Sequence, residues 1–302
     1  MRSFLPWSLL IVTAVAACTG SEPEATSALA PATERFAVVA LTWSAPSSPG
    51  RQATGPDAAL AQAYFVEHAA GERASLLDLL HLPAANVAFD PAIAPDACVV
   101  SHAEPPSQAV LLDAGELTIE TEEGPVLMDS SYVPDGTMRV SGLVYEGAVA
   151  TRAAAAIVAD GSDEVGPFVV TLAAPPPMRL VTIGGEPVVR GRVEIADALS
   201  EPAGLAVAWD APDGPYDGVL ARDVAVVTFE RRAFGDAWMV ACVVQDDGAF
   251  VVPGPALQGL PDLGSDATDR IVVRRLAGTS FSAPGMPDGL ALAIAEDAAY
   301  LE

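Results

Sequence analysis

From Pro167 onward the chain is a succession of short apolar runs: PFVVTLAAP, MRLVTI, GRVEIA, GLAVAW, DVAVVTFERR, AWMVACVVQ, AFVVP, RIVVRRL and GLALAIA. Clusters of glycine and proline separate many of them. Runs of this length and spacing are too short for amphipathic helices and suit half-buried strands, so they predict an all-β sandwich or barrel. In GLAVAW, Leu205, Val207 and Trp209 share one face and the two alanines the other, which makes Trp209 the expected large core residue. PGPALQGLP (253–261) is the one short helical turn expected there. Asp246-Asp247-Gly248 reads as a hairpin turn, and TIGGEP (182–187) as a turn without a phosphate-loop pattern.

The first half carries the same signal more loosely. RFAVVALTW (35–43) is a β-branched run, ELTIE (116–120) alternates with Leu117 and Ile119 on one face, and TMRVSGLVYEG comes after a PDG turn. One region is different: DAALAQAYFVEHAAGERASLLDLLHLP (57–83) is rich in Ala and Leu. Its piece ASLLDLLHL suits a short helix stopped by Pro83 with His81 near its end, whereas AYFVEH is compatible with strand or helix. The expected fold is therefore mainly β: a β-rich domain with one or two short helices over 36–160, a polar acidic boundary at 158–167 (VADGSDEVGP), and a β-sandwich over 167–302. By strand rhythm and the place of Trp209 the second domain resembles an immunoglobulin- or fibronectin III-like sandwich, although no cysteine precedes Trp209 within it. CVVQDDGAFVVPGPALQGLP also resembles an element of secreted bacterial lipoproteins of uncharacterised function, a likeness that implies no activity.

The N-terminus carries an address. Arg2 precedes an apolar run from Phe4 to Ala17, shorter than the roughly 20 residues of a membrane-spanning helix and of the size of a secretory signal. It ends in Val15-Ala16-Ala17-Cys18, which resembles the lipobox of bacterial lipoproteins. The resemblance implies cleavage of residues 1–17 and lipidation of Cys18, with membrane attachment through that lipid. Residues 18–35, rich in Ser, Thr, Pro, Ala and Glu, then suit a flexible tether. Thr19 rather than Asp after the cysteine implies the outer membrane of the bacterial envelope. Cys98 and Cys242 remain; export permits a disulfide between them, and burial as free thiols is the alternative.

The formal charge is −25, from 40 acids against 15 basic residues, every one of which is arginine. Such a charge repels nucleic-acid phosphates and keeps an exported protein soluble, so no nucleic-acid partner is expected. No EF-hand spacing, C-x-x-C pair, Walker pattern or G-x-G-x-x-G loop occurs, and neither a metal site nor a cofactor is predicted. The three histidines, His68, His81 and His102, are spaced as no helix or hairpin site requires. GTSFSAPG (278–285) resembles the start of the serine motif of subtilisin-like proteases. Pro287 and Asp288 stand where that family continues with small residues, and its D-[ST]-G and H-G-[TH] partners are missing. A serine hydroxyl needs a histidine to take its proton and a carboxylate to orient that histidine, so Ser280 is not expected to be catalytic, and the stretch is expected to be a loop between strands. The expected function is a non-enzymatic, lipid-anchored envelope protein with a binding or structural role towards an unidentified envelope protein or polymer. The alternative is an enzyme or enzyme-associated domain acting on envelope polymers or peptides through carboxylates that sequence alone does not single out.

Overall fold

The computed structural model describes residues 32–45, 58–80, 82, 88, 93–102, 109–134, 140–195, 203–214, 216, 224–233, 236–264 and 266–302. Cys18, the tether up to Pro31 and His81 lie outside them. The described chain is mainly β, with nineteen strands and two short helices. In order they are β1 (Thr33–Ser44), β2 (Ala59–Ala69), α1 (Arg73–Leu79), β3 (Ala97–His102), β4 (Ala109–Leu111), β5 (Leu117–Thr121), β6 (Gly124–Leu127), β7 (Asp129–Val133), β8 (Val140–Val149), β9 (Ala155–Ala159) and β10 (Phe168–Leu172). Next come β11 (Leu180–Ile183), β12 (Glu186–Pro187), β13 (Arg192–Val193), β14 (Leu205–Trp209), β15 (Val224–Ala233), β16 (Asp236–Gln245), β17 (Ala249–Val252), α2 (Gly254–Gln258), β18 (Thr268–Ala283) and β19 (Met286–Leu301).

One eleven-stranded sheet dominates, in the order β3-β16-β15-β18-β19-β1-β2-β4-β8-β7, with β13 paired to the end of β19. Two four-stranded sheets, β10-β9-β5-β6 and β12-β11-β14-β17, complete the set. The large sheet draws on both halves of the sequence. β1 lies parallel to β19, from Phe36 opposite Asp288 to Ser44 opposite Glu296, and β3 closes antiparallel onto β16. The boundary expected at 158–167 falls between β9 and β10, which are paired neighbours in one small sheet. Residues 32–302 form a single compact unit.

The reason lies in the faces of the central strands. Ala37, Val39, Leu41 and Trp43 of β1 and Ala291 and Ala293 of β19 point into a core shared with Leu117, Ile119, Ile157 and Val170 of the first small sheet. Farther along the same face of β19, Ala295 and Ala299 join Val227, Phe229 and Val240 against Leu180, Val207, Trp209 and Val252 of the second small sheet. The intervening residues Phe36, Val38, Ala40, Leu290, Leu292 and Ile294 point the other way and pack on Leu76, Leu77 and Leu80 around α1. Strands buried on both faces read as unbroken apolar runs, as RFAVVALTW and GLALAIA do. Each fully buried Leu or Phe contributes about 1.5–3 kcal/mol of transfer free energy.

Particular elements differ from the sequence expectation. AYFVEH is strand, because β2 pairs with β1 along one edge and with β4 and β8 along the other. The short helix exists but ends at Leu79. GTSFSAPG is no loop: Gly278–Ala283 continue β18 in a long hairpin with β19, and only Pro284 and Gly285 turn the chain. Asp246-Asp247-Gly248 is a turn, but it passes from β16 in the large sheet to β17 in a small one, so the strands it joins are not partners.

Candidate functional site

The residues singled out by the sequence scatter across this frame, with one exception. Cys98 on β3 and Cys242 on β16 stand directly opposite one another and are joined in a disulfide, their Cα atoms 4.0 Å apart. Cys242 is fully buried. His68 is buried on β2, with Nδ1 2.7 Å from the Ala69 carbonyl. His102 stacks on Trp238 at the far edge of the large sheet, ring centroids 4.5 Å apart. Ser280 is an exposed strand residue opposite Leu290. Among the described residues no group of three or more His, Cys, Asp or Glu side chains is arranged to hold a metal ion.

The side chains that do converge form two clusters. The first is a cavity of about 860 Å³ lined by Asp113, Asp160, Gly161, Ser162, Asp163, Glu164 and Pro167. It lies where the loop between β9 and β10 meets the loop before β5. Ser162 anchors it: its hydroxyl donates to the Asp113 carbonyl and accepts from the Glu164 and Val165 amides. Glu164 Oε2 in turn accepts the Asp113 amide at 2.7 Å. Asp113 Oδ1 accepts both the Gly115 amide and the Tyr145 hydroxyl, each at 2.8 Å. The Tyr145 oxygen also accepts the Ala114 amide. Burial pushes the Tyr145 phenol up to about 12; the Ala114 amide works against the rise, and the neighbouring Asp113 and Glu164 carboxylates add to it.

Glycine makes this packing possible at two points. Gly161 has φ +88°, and a Cβ there would lie 2.6 Å from the Pro167 nitrogen; at Gly115, with φ +77°, it would lie 2.4 Å from the Gly161 carbonyl oxygen. Chemically the cavity presents carboxylates on a rigid, hydrogen-bonded loop, an arrangement that attracts cationic groups.

The second cluster is arginine-rich and is not legible as a site in the sequence. Five of the fifteen arginines occur in the adjacent strands β15 and β18. On the face that carries α1, Glu230 accepts from Arg270 and Arg232, with Arg274 Nη2 3.8 Å away. Arg274 also reaches Glu296 at 3.0 Å, and Ser44 donates to the other oxygen of that carboxylate. Burial opposes ionisation of Glu230, but Arg274, Arg270 and Arg232 together outweigh it and hold the carboxyl below its usual range. Burial likewise opposes the charge of Arg270, and Glu230 outweighs it, raising the guanidinium.

On the opposite face Arg275 and Asp246 form a pair with side chains 1% and 0% exposed. Asp246 also accepts the Trp209 indole N–H at 2.7 Å and the Tyr216 hydroxyl at 3.1 Å. Arg275 donates in addition to the carbonyls of Pro177 and Asp210. These pairs pin strands to one another, and every guanidinium in them is engaged by a carboxylate. The clue available in sequence is the recurrence of RR in FERRAF and RIVVRRL, which carries no indication of partner.

Comparison of the chain with protein-family models, with curated proteins and with solved structures yields no match.

Proposed function

We propose that this chain is a lipid-anchored protein of the bacterial cell envelope, attached through Cys18, with a binding or structural role and no catalysis of its own. The observation that carries the reading is the Cys98–Cys242 disulfide, which ties a strand of the first half to the second. Disulfides persist outside the cytosol, where thiols are not kept reduced, and the Val15–Cys18 lipobox supplies the matching address. On this reading the tether to the membrane is shorter than the expected 18–35, because Thr33, Glu34 and Arg35 already belong to β1. The acid-lined cavity is its binding face, suited to cationic groups of an envelope protein or polymer.

The anchor is tested by metabolic labelling with radioactive palmitate: label enters the wild type and not Cys18→Ala, and equal labelling of both overturns it. The binding role is tested by pull-down from envelope fractions with wild type and with an Asp160→Asn/Asp163→Asn variant. Material retained by the first and lost from the second supports the cavity as the binding face. Identical retention removes that assignment and leaves a structural role.

A further inference from the structure

Strand β3 ends the large sheet, and among the described residues it pairs on one side only, with β16. The 4.0 Å between the Cα atoms of Cys98 and Cys242 matches the narrow pair of an antiparallel ladder, about 4.5 Å, rather than the hydrogen-bonded pair at about 5.5 Å. The N–H and C=O of Cys98 therefore point away from β16. By the two-residue repeat, so do those of Val100 and His102. Six polar backbone groups thus face outward along one edge. The strand itself, Ala97-Cys98-Val99-Val100-Ser101-His102, holds no charged residue and no proline. The opposite end of the same sheet differs: β7 carries a charge inside the strand, at Asp129. Charge and proline within a strand are the usual devices that keep an edge from pairing, and β3 has neither between Ala97 and His102, the nearest being Pro95 and Asp96 just before it. Val99 and Val100 are 37% and 40% exposed.

We propose that β3 is a self-association edge, at which a second copy of this chain adds its own β3 antiparallel and continues the large sheet across a two-fold axis. The register is set by the outward groups. With Val100 opposite its counterpart and Cys98 opposite the partner's His102, each of the six outward groups on either strand meets a complementary group. The outward backbone edge of β3 is thus complementary to itself in the antiparallel sense, which is what an isologous interface requires. Charge favours the same place. Two chains of −25 repel over most of their surfaces, and β3 offers a stretch where neither copy carries charge. The disulfide holds the edge strand on its own subunit while its outer side is engaged. The interface is small, so the dimer is weak and reversible.

Sedimentation velocity of the full chain, over a range of loading concentrations at low and high sodium chloride, is the test. A monomer–dimer equilibrium that tightens as salt screens the mutual repulsion is expected. Val100→Lys places like charges opposite one another at the two-fold and should weaken the dimer at least about tenfold, with the circular dichroism spectrum and melting temperature unchanged. Tyr132→Lys, on β7, should leave the dimer as it is. Amide hydrogen exchange on the wild type gives a reading independent of any variant: protection of residues 97–102 should rise with protein concentration. A monomer under every condition, a dimer indifferent to Val100→Lys, a dimer lost in Tyr132→Lys, or exchange at 97–102 independent of concentration would each overturn the proposal.

Discussion

Removing one member of the Arg275–Asp246 pair should be among the most damaging single changes this chain can suffer. Asp246→Ala deletes a carboxylate that accepts from Arg275, Trp209 and Tyr216, and leaves a buried guanidinium with only the Pro177 and Asp210 carbonyls. An uncompensated buried charge of this kind costs about 3–5 kcal/mol. Over a chain of this size that corresponds to a fall in melting temperature of roughly 6–20 °C. Arg275→Met should cost a similar amount, because Asp246 then keeps only the indole and phenol donors. The double variant should be far less than the sum of the two, since replacing both charges removes the orphan along with the attraction. The assay is urea unfolding followed by tryptophan fluorescence, for which Trp209, hydrogen-bonded to Asp246, is a local reporter, and by circular dichroism for the whole. Single variants each costing under about 1 kcal/mol, and adding without coupling, would refute the reasoning, because that is the behaviour of a solvated surface pair.

Three further outcomes are expected. Thiol titration of the unfolded but unreduced chain should find Cys98 and Cys242 unreactive, and replacing both by alanine should cost about 2–5 kcal/mol in thermal or urea unfolding, the bridge spanning 144 residues. Tyrosinate absorbance should show one phenol, lost in Tyr145→Phe, titrating near 12 in the folded chain. Its folded value lies above the unfolded one, so the unfolded state gives up its proton first and stability falls as pH rises from about 10 towards 12. Glu230→Gln should destabilise the chain by about 3 kcal/mol, more than Glu296→Gln, because three arginines lose their most buried partner. The Glu230 carboxyl is depressed in the fold, so its contribution is whole above its ordinary value near 4.5 and fades as pH falls below it, which acid titration of stability measures.

How much of the fold is legible in sequence depends on how local each signal is. ELTIE and GLAVAW announce their inward faces by alternation alone, and Leu117, Ile119, Val207 and Trp209 are indeed buried. AYFVEH is undecided by its local pattern, since its strand form comes from pairing with β1 and β4. GTSFSA has small polar residues that read as loop, yet Gly278–Phe281 lie across from Gly289–Leu292 in a register set by the whole hairpin. Asp246 reads in sequence as one residue of a hairpin turn; its partner Arg275 lies 29 positions away, and nothing in the local sequence links them. The acid-lined cavity is hidden in sequence by the abundance of acids, because any few of forty carboxylates look alike until the fold brings Asp113 beside the loop at 160–164. Strand β3 joins the second half through Cys98, a link that spacing can only permit.

The parallel seam between β1 and β19 also bears on how the molecule comes into being. Ser44 and Glu296, hydrogen-bonded across it, are 252 positions apart, and β19 stands in the middle of the sheet with β18 on its other side. A chain still lacking residues 286–301 has no strand to put there: the two flanks of the sheet remain separate, each with an exposed edge. Closing so long a loop delays the reward of the contacts it makes possible, so folding should be slow and should wait for that segment to emerge. A nascent chain without that segment cannot close its sheet, so the last long strand, rather than the first, decides when the two flanks become one molecule.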